Sequence, residues 1–179
     1  MKKIMAVMTT IILTASAFTP AYGKEIVKNA GSVKSENEAF IRADGLACYF
    51  CAYGLERFFK KSGKIASYDM RLKEGIVEIG LIKGKPLVTQ KELHKIVYDA
   101  GYSPRSTTYE LVGKVSKNGD GYIFTVSDTG QNFSLKATDK IASVIDKTIR
   151  LKAKVDKQDG DVMYLEALEF KIITPKAMP

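Results

Sequence analysis

Apolar and polar positions first fall into a regular pattern at Ala39. Ala39, Ile41 and Ala43 alternate with Phe40, Arg42 and Asp44, which predicts a short strand. Gly45 opens a loop, and Leu55, Phe58 and Phe59 then recur at helical spacing through Tyr53 to Lys61, with Arg57, Lys60 and Lys61 on the outer side. Ser62 and Gly63 end that helix. Ile65 to Leu72 and Ile76 to Ile82 are apolar-rich and joined by Lys73, Glu74 and Gly75, the signature of a hairpin. After Gly84 and Pro86, Thr89 and Glu92 form a capping box. The helix it opens carries Leu93, Ile96, Val97 and Ala100 on one face and stops at Gly101. A short strand is expected at Arg105 to Thr108.

This order predicts an α+β fold: a ferredoxin-like βαββαβ sandwich over residues 39–107. From Tyr109 the pattern changes to strands alone. Tyr109 to Ser116, Gly121 to Val126, Asn132 to Leu135, Thr148 to Val155 and Val162 to Ile172 alternate. Turn signals at Asn118-Gly119, Thr129-Gly130 and Asp159-Gly160 punctuate them, and a helix is expected over Ala137 to Asp146. Five short strands with a helix between the third and fourth resemble an OB-fold, so residues 108–173 are expected to form a small OB-like barrel, each block to bury a separate core, and a fragment from about Glu36 to Thr108 to fold alone and bind one equivalent of metal. Residues 24–38, rich in Lys, Glu, Asn, Ser and Gly, are expected to be a flexible lead-in, and 174–179 a tail.

Composition alters the picture mainly at the N-terminus. Lys2 and Lys3, an apolar stretch from Ile4 to about Thr14, and small residues at Ala15, Ser16, Ala17, Ala21 and Gly23 make residues 1–23 a cleavable signal peptide. No later apolar run has the length of a membrane span. A soluble periplasmic protein of about 156 residues is therefore expected. Losing Lys2 and Lys3 lowers the formal charge from +8 to +6. The lysines are scattered singly, so the basic balance reads as a solvated surface, with no nucleic-acid partner expected.

The two cysteines, Cys48 and Cys51, are separated by two residues, which excludes a multi-bridge scaffold and leaves a metal pair or a redox pair. Two sulfurs at this spacing around a helix start can converge on one ion. The free N–H groups and dipole of that helix end favour the thiolate form. Thiolates select soft ions over Mg(II) or Ca(II), and two ligands are too few for a closed zinc site.

The segment Gly45-Leu46-Ala47-Cys48-Tyr49-Phe50-Cys51 resembles the Gly-Met-Thr-Cys-x-x-Cys loop of heavy-metal-associated domains, a family that includes copper chaperones and periplasmic mercury-scavenging proteins. Asp99-Ala100-Gly101-Tyr102 is similar to the family's other recurring motif, and the resemblance spans roughly two-fifths of the chain. It implies transient binding of Cu(I) or Hg(II), with Zn(II) as a further candidate, by Cys48 and Cys51. Transfer to a membrane metal transporter or pump by ligand exchange would follow. Leu46 stands where the family has Met and can plug the core beneath the loop; Ala47 replaces Thr and loses a hydroxyl. By the same resemblance Tyr102 belongs near the metal loop.

The remaining candidates carry bland readings as well. His94, the sole histidine, is expected to have no metal role, and Met70, Met163 and Met178 to serve packing. Tyr49 and Phe50 could rim a partner contact. Two rival functions remain: a periplasmic thiol-disulfide oxidoreductase built on the same cysteines, and a ligand-binding module led by the barrel through Tyr122, Phe124, Phe133 and Tyr164. No Ser/His/Asp set or phosphate-cradling loop occurs, so a non-enzymatic protein is expected.

Overall fold

The alternation at Ala39 belongs to a longer strand, β1 (Lys34–Asp44), in the computed structural model, which describes residues 34–46, 49–136, 140–160 and 162–173. Ser35, Asn37, Ala39, Ile41 and Ala43 are buried on one side of β1, with Glu36, Arg42 and Asp44 exposed. The strand thus starts at Lys34, inside the stretch expected to be a flexible lead-in. Its first two inward residues are polar, so no hydrophobic pattern marks them. They are held instead by Asp128, which accepts from Ser35 Oγ at 2.5 Å and Asn37 Nδ2 at 2.8 Å.

Next come α1 (Tyr49–Lys61), the hairpin of β2 (Ile65–Arg71) and β3 (Ile76–Ile82), α2 (Gln90–Asp99) and β4 (Ser103–Asn118). These four strands stand in the order β2-β3-β1-β4, each antiparallel to its neighbour. Leu55 and Phe59 of α1 and Leu93 and Val97 of α2 are buried in the same apolar cluster as Ile41, Ile79 and Leu81 of the sheet. Thr89 caps α2 as its sequence predicts. Glu92 N donates to Thr89 Oγ1 at 3.2 Å and Thr89 N to Glu92 Oε2 at 2.7 Å.

Strand β4 runs unbroken for 16 residues where two strands were expected. The join anticipated at Thr107 and Thr108 lies inside it. Pro104 sits at its start, where a missing N–H is tolerated, and the β-branched and aromatic residues that follow contain no breaker. Its first half pairs with β1, its middle with β7 (Thr148–Asp159) and its end with β5 (Gly121–Val126).

A closed five-strand barrel results. Its strands follow one another as β4, β5, β6 (Asn132–Leu135), β8 (Val162–Ile172) and β7, and β7 returns to β4. The β6–β8 pair is parallel and the others are antiparallel. Leu111, Val115, Phe124, Phe133, Leu135, Ile149, Leu151, Met163 and Leu165 fill it. The expected helix over Ala137 to Asp146 is reduced to one 3₁₀ turn, Ile141–Val144, with 137–139 outside the described residues. Two buried side chains, Ile141 and Val144, anchor it, and the Ser143 hydroxyl bonds Lys140 O at 2.8 Å, a local bond that competes with helix continuation.

Candidate metal-loop site

Between β1 and α1 the chain turns through Gly45, whose φ of +91° only glycine adopts without strain. Leu46 follows with 3% exposure, a member of the core cluster, so it anchors the loop from below. Helix α1 starts at Tyr49, immediately after Cys48 in sequence, and Cys51 lies within its first turn. Ala47 and Cys48, and the side chains of Tyr49, Phe50 and Cys51, lie outside the described residues. The first turn of α1 carries no acidic residue and its last carries Lys60 and Lys61. Nothing in that turn offsets the partial positive charge of the helix start.

The end of α2 faces this loop. Tyr102 N donates to Val97 O at 3.0 Å and Gly101 N to Tyr98 O at 2.9 Å, with Gly101 at φ +90°, which together form a Schellman cap. The motif Asp99-Ala100-Gly101-Tyr102 is therefore a helix stop that fixes where Tyr102 emerges. A Cβ placed on Gly45 would lie 3.6 Å from Tyr102 Cδ1, so the ring packs against the loop. Burial raises the Tyr102 phenol above its ordinary pKa, which keeps it neutral. Beside it, Arg105 clamps Asp44 at the end of β1 through Nε at 2.7 Å and Nη2 at 2.6 Å.

The other candidates separate cleanly. His94 Nε2 lies 3.2 Å from Thr107 Oγ1 on β4, and burial lowers its pKa against an opposing hydrogen bond to the Arg105 backbone. That environment explains a neutral structural histidine. Met163 is buried in the core and Met70 packs against it, while Met178 lies outside the described residues. Of the four proposed barrel-face aromatics, Phe124 and Phe133 are core residues and Tyr122 packs against them. Tyr164 alone is exposed, with Lys157 Nζ 5.9 Å from its ring centroid. Alternation along a strand identifies one face without saying whether it points into a barrel, and here it points in.

The individual bonds between the helix-covered sheet and the barrel are made by polar side chains in strands and a loop, which carry no hydrophobic signal. Asn37 Oδ1 accepts from Val112 N at 2.7 Å, Gln131 Oε1 from Leu87 N at 2.6 Å, and Gln158 Oε1 from Lys91 N at 3.0 Å. The Tyr109 hydroxyl donates to Val88 O at 2.8 Å. Among the described residues no three His, Cys, Asp or Glu side chains cluster as a metal site, and no helix is long and apolar enough to cross a membrane.

The described residues form a mixed α+β protein with two α-helices and a closed five-strand barrel. No protein-family model and no curated protein matches the chain. Among solved structures it is similar to the solution structure of a candidate copper-ion-binding protein from Bacillus anthracis str. Ames, at 22% identity. The match covers 41% of this chain and 99% of that one, with a TM-score of 0.34. A likeness of that degree establishes neither fold nor function.

Proposed function

We propose that the chain is an exported carrier of a soft metal ion, Cu(I) or Hg(II) before Zn(II), held between the thiolates of Cys48 and Cys51 and passed by ligand exchange to a membrane transporter or pump. The observation that carries this reading is the placement of the cysteine pair: Cys48 directly precedes α1, Cys51 lies in its first turn, and buried Leu46 anchors the approach. Support for a ferredoxin-like sandwich comes from the antiparallel order β2-β3-β1-β4 with both crossovers helical. Support for an OB-like barrel comes from its closure through β4–β7 and its parallel β6–β8 pair.

A two-coordinate site suits transfer, because an incoming thiolate can add before the first one leaves. Soft donors give affinity without the four-ligand closure that would trap the ion. The test is a titration of the reduced chain with Cu(I) against a competing chelator, alongside Cys48→Ser and Cys51→Ser. Each single substitution is expected to abolish tight binding and His94→Ala to leave it unchanged; wild-type affinity in either Ser variant refutes the two-thiolate site. A second assay addresses the redox alternative. Acceleration of disulfide formation or isomerisation in a test protein, at catalytic amounts of this one, would make the cysteine pair a redox centre instead.

A further inference from the structure

Strand β8 is held on one edge by β7 along its length and on the other by β6 only at Tyr164 and Leu165, with Lys136 N also donating to Leu165 O at 2.9 Å. Among the described residues nothing pairs with that second edge beyond Leu165. The stretch carries large exposed apolar side chains, Leu168 at 52% and Ile172 at 57%, with Phe170 partly buried between them. Ile173 N donates to Thr148 O at 2.9 Å, and Ile172 stands opposite Ile149. Antiparallel ladders alternate bonded and non-bonded pairs, so the N–H and C=O groups of Ile172 and Phe170 point away from β7, toward the open edge.

The sequence of this edge, Leu168-Glu169-Phe170-Lys171-Ile172, is complementary to itself when reversed. An antiparallel copy centred on Phe170 sets Glu169 opposite the other chain's Lys171 twice, Leu168 opposite Ile172 twice, and Phe170 opposite itself. The outward backbone groups of Phe170 and Ile172 fall in the hydrogen-bonded positions of that ladder. Lys on an open edge ordinarily deters pairing. Lys171 Nζ already lies 3.9 Å from Glu169 Oε1 of its own chain, and a second copy brings each Lys171 a further carboxylate and each Glu169 a further ammonium.

We propose that β8 pairs with β8 of a second copy of this chain, antiparallel about Phe170, to give a two-fold dimer joined through the barrel. The ladder is short. The β-bulge at Leu168, where the register shifts between Lys152 and Ala153 of β7, limits it, and the two-fold axis places that bulge at both ends. A stable interface buries about 1,200 Å² or more, which five residues a side do not reach, so the dimer is weak and concentration-dependent. The inference is independent of the metal reading.

The test is sedimentation velocity over roughly a hundredfold concentration range, on the chain from Lys24 onward with reductant and chelator present to exclude disulfide or metal bridging. The expected result is a mass rising from one copy toward two. Lys171→Glu is the decisive variant because it separates the fold from the association. Within one chain residue 171 stands opposite Arg150, so a carboxylate there gains that guanidinium, which offsets the loss of the exposed 3.9 Å contact with Glu169. Across the proposed interface it faces Glu169 and repels. This variant should keep an unfolding midpoint close to that of wild type while staying a single copy throughout. Glu169→Lys together with Lys171→Glu restores the complementary pattern and should associate again. Ile172→Pro, which removes one outward N–H, should weaken association. Wild-type chain that remains one copy throughout, a Lys171→Glu variant that associates like wild type, or a folded double variant that does not associate would each overturn the proposal.

Discussion

At Gly113 a missing side chain decides how β4 meets the barrel. It pairs with Val126 on β5 and Ile149 on β7, and a Cβ there would lie 2.2 Å from Thr125 O and 2.7 Å from Phe124 Cζ. Neither the strand backbone nor a fully buried ring can give way, so Gly113→Ala should cost about 3 kcal/mol or more, read as a lowered midpoint in urea. Tyr109 makes the opposite case, a large side chain buried for its one polar atom. Burial, followed by the nearby Glu92 carboxylate, raises its phenol far above the ordinary range. Tyr109→Phe keeps the ring and removes the bond to Val88 O, so about 1 kcal/mol should be lost in the same assay. His94 supplies a pH dependence. Burial lowers its folded pKa, so the unfolded chain takes up the proton first. Stability is therefore unaffected above the ordinary imidazole pKa and falls with pH between that value and the lower folded one. Denaturation profiles of wild type and His94→Gln should diverge in this interval, with the variant flatter; parallel profiles would assign the slope to other groups.

At the scale of elements, α2 shows how far local chemistry reaches. Its capping box sets the start and its Schellman cap sets the stop, both from short-range sequence. Glu92 has a second task, accepting from Lys64 Nζ at 2.6 Å. Partial burial raises its pKa, but the hydrogen bonds from Lys64 and Thr89 outweigh that and lower it overall. Its contribution is thus present above the ordinary carboxylate pKa and lost as pH falls through the depressed one. The ion pair is partly exposed and worth little, whereas the cap satisfies helix N–H groups that have no other partner. Thr89→Ala should therefore cost about 1 kcal/mol, and Glu92→Gln, which keeps a capping acceptor, less than that. Equal losses by thermal denaturation would show that the ion pair matters as much as the cap.

At the scale of the molecule, β4 is a spine shared by the helix-covered sheet and the barrel. Ending the chain at Thr108 would remove Tyr109, take Val112 N and Asp128 from buried Asn37, and take Gln131 and Gln158 from the backbone around the start of α2. Losing one large buried aromatic costs about 3–5 kcal/mol and each stranded buried polar group about 1–3 kcal/mol, against a whole-domain stability of about 5–15 kcal/mol. A fragment spanning Glu36 to Thr108 is thus expected to show no cooperative thermal transition, while the chain from Lys34 to Ile173 shows a single one. A sharp transition in the short fragment would mean that the helix-covered sheet stands alone and the shared strand is incidental.

What the sequence determined by itself is whatever short-range pattern can encode. The order of strands and helices up to α2, the start and stop of α2, the hairpin turns and the spacing of Cys48 and Cys51 next to a helix start are all readable within a few residues. The carrier reading rests on that local motif. What only the tertiary structure decided lies between residues far apart: that Ser35 and Asn37 extend β1 by bonding Asp128, that β4 continues through the expected join, and that Phe124 and Phe133 face inward. The reason is physical. A capping or turn residue acts on its own neighbours, but a strand's length and the direction of its faces depend on partners that the chain meets only after folding.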